Sequence, residues 1–119
     1  MGNFVVTGHT VAEFRPNKIS IMSKFKEIID GDKPVLVDFF AEWCGPCQTM
    51  MPVLKDLASD VGDHATILKV DIDKNPGAAK AFGVRGVPTF ILFKNGKQLW
   101  RQSGAMPKSA LLEAMEKAM

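Results

Sequence analysis

Residues Val35-Leu36-Val37-Asp38-Phe39-Phe40 form an almost continuous apolar run rich in β-formers. A strand with one wet face alternates apolar and polar residues. A run without that alternation predicts a strand buried on both faces, as in a sheet covered by helices on either side. The flanking segments fit such a sheet. A helix is expected from about Ile21 to Asp30, with Ser20 as N-cap, Met22, Phe25, Ile28 and Ile29 on one face, and Gly31 just past its end. Residues 44 to about 61 carry helical spacing at Met50, Val53, Leu54, Leu57 and Val61 and stop at Gly62; Pro52 should kink this helix near its second turn. Thr66 to Ile72 alternates and reads as a strand, and Asn75-Pro76 opens a short helix that Gly83 closes. Thr89–Lys94 and Lys97–Gln102 read as strands joined by the hairpin signal Asn95-Gly96. Pro107 starts a last helix with Leu111, Leu112, Met115 and Ala118 facing inward. The order α-β-α-β-α-β-β-α predicts an α/β fold: one central mixed sheet, parallel where βαβ units build it, closed by an antiparallel C-terminal hairpin, with helices on both faces. Residues 1–20 read as an N-terminal arm or an extra strand, with Phe4-Val5-Val6 its apolar part, ahead of a domain over 21–119.

Composition narrows what such a fold can be for. The chain has 119 residues, enough for one domain and one core. Its net charge of +2 gives no electrostatic argument for nucleic acid or an anionic membrane surface. No apolar run approaches the ~20 residues of a bilayer span, and the N-terminus lacks a signal-peptide pattern, so a cytoplasmic setting is expected. Only two cysteines are present, too few for a disulfide-stapled scaffold; with His9 and His64 they are also too scattered for a zinc site within one chain.

Those cysteines form one motif, Trp43-Cys44-Gly45-Pro46-Cys47, where the buried strand gives way to a helix. Three-residue spacing on a helical turn puts both thiols on nearly one face, with Cα atoms ~5.5 Å apart, which suits a disulfide. Cys44 at the helix N-terminus meets free N–H groups and the positive end of the macrodipole, which favour a thiolate. Cys47, one turn in, should be more buried. Cys44 is therefore the expected nucleophile towards a substrate disulfide and Cys47 the resolving thiol. Gly45 allows the tight turn, and Pro46 starts the helix without wasting a donor. The bland alternative is a pair of buried structural cysteines. Trp43 is either a core aromatic or, on a surface loop before the nucleophile, a shield for the disulfide and part of a docking surface. Asp38 is either a solvated edge residue or a buried acid with a raised pKa. Lys69 alone reads as an exposed strand position, and Pro88 as a strand-initial proline.

Val37 to Cys47 resembles the active-site segment of the thioredoxin family, and Gly83-Val84-Arg85-Gly86-Val87-Pro88-Thr89 resembles its second hallmark. Phe93-Lys94-Asn95-Gly96-Lys97 and Gly104 also match, so the resemblance spans roughly 20–119. It implies a thioredoxin fold. It implies that Asp38 is a buried proton acceptor behind Cys47, that Lys69 neighbours it, and that the Val87–Pro88 bond is cis. It also implies that Val87 offers backbone hydrogen bonds to an extended substrate segment. Val84, Gly86 and Gly104 would complete a small apolar patch around the cysteines. Three positions depart from the family pattern: Phe40 stands where tryptophan is usual, Gln48 where a basic residue is common, and Phe82 where tyrosine is frequent. The implied activity is protein-disulfide reduction, with electrons from an NADPH-dependent thioredoxin reductase and diverse disulfide-containing proteins as clients. The chain itself shows no nucleotide fingerprint, so no bound cofactor is expected, and a monomer is expected. The alternatives are a thiol oxidase or isomerase of the same fold, against which Gly-Pro between the cysteines argues, a non-enzymatic binding subunit, or zinc shared between two copies.

Overall fold

The computed structural model describes the backbone of residues 3–7, 10–14 and 21–24, and residues 25–119 in full. The expectations for Ser20 and for the Met22 side chain lie outside the described residues. The elements are β1 (Asn3–Thr7), β2 (Thr10–Phe14), α1 (Ile21–Ile29), β3 (Val35–Phe40), α2 (Gly45–Val61), β4 (Thr66–Asp71), α3 (Pro76–Ala81), β5 (Thr89–Lys94), β6 (Lys97–Ser103) and α4 (Lys108–Glu116). A 3₁₀ turn at Gly62–His64 links α2 to β4. Six strands form one sheet in the order β2-β1-β4-β3-β5-β6. β3 and β4 run parallel, as the intervening α2 requires; every other pair is antiparallel. Phe4-Val5-Val6 lies within β1, and the second strand of the N-terminal hairpin, β2, has no counterpart in the sequence reading.

All six residues of β3 are buried, because the strand sits inside the sheet and both its faces are covered. Its alternate residues therefore enter two different cores. Leu36 joins Ile67, Phe90 and Leu92 against Met50, Leu54 and Leu57 of α2 and Leu111 and Met115 of α4. Val35, Val37 and Phe39 join Leu68, Val70, Ile91 and Phe93 against Phe25 and Ile29 of α1 and Ala78 of α3.

Three local expectations need correction. β4 does not alternate between wet and dry residues: Ile67 to Asp71 are all buried, since β4 too is an inner strand with both faces covered. Asn75 does not cap α3 with its side chain; its Nδ2 donates instead to the Asp71 carbonyl at 3.0 Å. Gly31 does not take the left-handed conformation of a C′ glycine. The end of α1 is satisfied from across the fold, Gly96 N–H donating to the Ile29 carbonyl at 3.0 Å and Asn95 N–H to that of Gly31 at 2.9 Å. That contact also explains the Asn95-Gly96 turn. Both residues have positive φ (53° and 77°), and a Cβ on Gly96 would fall 2.8 Å from Asp30 Oδ1. α2 runs without interruption through Pro52 and ends on Gly62, whose N–H donates to the Ala58 carbonyl.

Candidate functional site

Cys44 is the N-cap of α2, in extended conformation, and Cys47 lies in its first turn. The two form a disulfide with Cα atoms 5.3 Å apart. The Cys47 N–H points at Cys44 Sγ at 3.2 Å, so the sulfur takes the place of the usual capping oxygen. A thiolate at Cys44 would meet this free amide and the helix dipole together. Both cysteines are buried, at 5% and 2%, with Cys47 the deeper. Their wall is apolar: Phe40, Ala41, Ile72 and Val87. The rim is wet, since Trp43, Gly45 and Pro46 are exposed on either side of Cys44.

The loop before β5 closes over the pair. The Val87–Pro88 peptide is cis, and the Val87 carbonyl stands 3.6 Å from Cys44 Sγ. This loop is pinned where it enters β5. Gly104 N–H donates to the Pro88 carbonyl at 2.8 Å. The buried Thr89 hydroxyl donates to the Gly86 carbonyl at 2.7 Å and lies 3.0 Å from Ser103 Oγ. Val84, expected in the patch, is partly buried and packs against the cluster that holds Phe25, Phe39 and Phe93.

Asp38 is fully buried, not a solvated edge residue. It shares a sheet face with Leu36 and Phe40, and so lies beneath α2, the helix that carries Cys47. Its register neighbours are Lys69 on β4 and Phe90 on β5. Neither carboxyl oxygen has a hydrogen-bond partner among the described residues. Burial pushes its pKa up to about 7, against the opposing pull of Lys69. Lys69 is likewise buried rather than exposed. Its ammonium touches the Met51 sulfur and lies 4.2 Å from the centre of the Phe40 ring. Burial lowers its pKa and the Asp38 charge raises it.

Trp43 is 71% exposed, yet its indole N–H is held, donating to Asp73 Oδ2 at 2.8 Å. Asp73 and the buried Asp71 behind it were missed by the sequence reading. Their signal was available: Asp71-Ile72-Asp73-Lys74-Asn75 ends a strand and precedes a helix, the place where Asp and Asn build side-chain-to-backbone turns. Of the three departures from the family pattern, Phe40 walls the disulfide and Gln48 donates to the Glu42 carbonyl at 3.2 Å. Phe82 packs on Phe25 and Phe93. Among the described residues no group of three or more His, Cys, Asp or Glu could hold a metal ion, and no helix is long and apolar enough to cross a membrane.

The family model described as Thioredoxin matches residues 17–117. The chain is 39% identical over 103 residues to the thioredoxin of Rickettsia typhi, covering 87% of this chain and 98% of that one. It is 42% identical over 103 residues to a chloroplastic thioredoxin Y of Oryza sativa, covering 86% of this chain and 61% of that longer protein. Among solved structures, a point-mutant thioredoxin from Halobacterium salinarum superposes with a TM-score of 0.73 at 40% identity, over 81% of this chain and 83% of that one.

Proposed function

The chain belongs to the thioredoxin family and is a thiol-disulfide reductase, and from that premise we propose the roles of its residues. Cys44 is the nucleophile: its thiolate attacks a client disulfide, forms a mixed disulfide and expels the first client thiolate. Cys47 then attacks Cys44 Sγ, expels the second client thiolate and restores the Cys44–Cys47 disulfide. Two electrons pass to the client, and two must return from a separate reductase, of the NADPH-dependent thioredoxin reductase class. Asp38 accepts the Cys47 proton before resolution. A carboxyl with a pKa of about 7 can take up and release a proton near neutrality, where an ordinary carboxylate could not. Lys69 adjusts the charge of Asp38. Trp43, Gly45, Pro46, Gly86, Val87, Pro88 and Gly104 form the docking surface, with the Val87 backbone available to an extended client segment. A reductase needs a compartment that keeps thiols reduced, and the cytoplasm is the setting we propose.

The observation that carries this reading is the placement of Cys44 as the N-cap of α2 with Cys47 N–H on its sulfur, which makes the two thiols unequal. The test is a pair of single substitutions. Cys47→Ser should accumulate a mixed disulfide with a client protein, whereas Cys44→Ser should form none and lose all reductase turnover. Equal trapping by both variants would refute the assignment of nucleophile and resolving thiol.

A further inference from the structure

Asp71 is a buried carboxylate for which the reaction has no use, 1% exposed at the end of β4. Its Oδ1 accepts the backbone N–H of Asp73 at 2.8 Å and of Lys74 at 3.2 Å. Its carbonyl accepts the backbone N–H of Asn75 at 2.9 Å and the Asn75 side chain at 3.0 Å. The turn is thus closed on itself by a side chain at each end. Three groups from this turn reach the segment leading into Cys44. Ile72 N–H donates to the Phe40 carbonyl at 2.9 Å. Asp73 Oδ2 accepts the Trp43 indole N–H at 2.8 Å, and Lys74 Nζ stands 3.7 Å from Glu42 Oε1. The exposed Lys74–Glu42 pair contributes little by itself. The bond from the indole to a carboxylate is charge-assisted and directional, and it holds a ring that is otherwise largely in solvent.

We propose that Asp71 is a positioning residue for client docking: its turn fixes Asp73, and Asp73 holds Trp43 as a pre-ordered platform beside the disulfide. An exposed indole free to rotate would lose that freedom each time a client bound, and a ring already held avoids the loss. The proposal rests on the reading above that Trp43 lines the docking surface.

The experiment separates docking from thiol chemistry. Pre-reduced protein is mixed with insulin, a protein disulfide, or with 5,5′-dithiobis(2-nitrobenzoate), which is too small to need a docking surface. Single-turnover rates are followed against substrate concentration. For Asp71→Ala the half-saturating insulin concentration should rise about threefold to tenfold, the effect of one or two lost hydrogen bonds, with the limiting rate and the small-disulfide rate unchanged. In a Trp100→Phe background Trp43 is the sole indole, and acrylamide should quench it more strongly in Asp71→Ala. Asp71→Asn keeps an acceptor oxygen and should restore both readings. Asp73→Ala leaves the turn intact and should reproduce the insulin effect, which keeps the test decisive if Asp71→Ala fails to fold. An unchanged half-saturating concentration in Asp73→Ala, or equal losses on insulin and the small disulfide in Asp71→Ala, would overturn the proposal. Failure of the unsubstituted protein to reduce either substrate would instead overturn the reductase reading.

Discussion

The two faces of the central sheet are built from the same strands and put to different uses. On the face under α1 and α3, β3 contributes Val35, Val37 and Phe39 to a cluster of apolar side chains, with the buried Thr89 as the register neighbour of Phe39. Four phenylalanines meet there, with ring centroids of Phe25 and Phe82 5.2 Å apart and of Phe82 and Phe93 5.3 Å apart. On the face under α2 the alternate positions are Leu36, Asp38 and Phe40, and the middle one is a carboxyl with no hydrogen-bond partner among the described residues. Lys69 sits beside it. A buried carboxylate and a buried ammonium oppose folding unless they are well paired and hydrogen-bonded. The first face maximises burial. The second gives up stability beneath the helix that carries the thiols. One strand with a two-residue period serves both needs because the period keeps them apart.

The comparison predicts opposite responses to substitution. Phe39→Ala removes a ring with no exposed surface from the face that holds the aromatic cluster, and should cost about 3–5 kcal/mol in urea unfolding. The disulfide-reduction rate per folded molecule should stay at the wild-type value. A large fall in that rate would mean that the faces are coupled and the division is wrong.

Asp38→Asn is the matching change on the other face. In the folded chain Asp38 has a pKa of about 7, against an ordinary value of 3.8. Between those limits the folded chain holds a proton that the unfolded chain releases. The Asp38 contribution to stability is therefore fully present below pH 3.8, falls as pH rises towards 7, and is lost above it. The whole fall amounts to about 4 kcal/mol. Asp38→Asn should abolish this loss, so its unfolding free energy at about pH 8 should rise relative to wild type, while its reductase rate falls. A stability difference between wild type and Asp38→Asn that stays constant from about pH 4 to 7 would refute the burial of an ionisable Asp38.

Most of the architecture was legible because local signals and global burial agree here. The β3 run, the helical spacing of α2 and the Asn95-Gly96 turn each point to the element that forms. The failures share a cause, which is that a partner distant in sequence settled the outcome. Lys69 by itself looked like an exposed position on an alternating strand, yet β4 lies between β1 and β3 and Ile67 to Asp71 are all buried. Gly31 looked like a helix terminator, but the β5–β6 turn supplies the donors. The geometry of the cysteine motif, a pair at disulfide distance at the start of a helix, was readable because it is local to one helical turn. The contact of Asp73 with Trp43 was not read, because it joins two segments 30 residues apart.

The smallest predicted effect sharpens the comparison within the site face itself. Lys69 lowers the pKa of Asp38, working against burial. Lys69→Met removes that charge and leaves an apolar stem suited to its neighbours Phe40 and Met51. The Asp38 pKa should then rise further above 7, by about one pH unit for loss of a nearby opposite charge. Total stability is a poor readout, because the variant also relieves the burial of an ammonium. The pH dependence of insulin reduction is the better one. If Asp38 accepts the Cys47 proton, its alkaline shift should move the midpoint of the profile up by the same amount, with the aromatic face and its unfolding cooperativity untouched. An unmoved midpoint would leave Lys69 and Asp38 as register neighbours only, and would assign the raised pKa of Asp38 to burial alone.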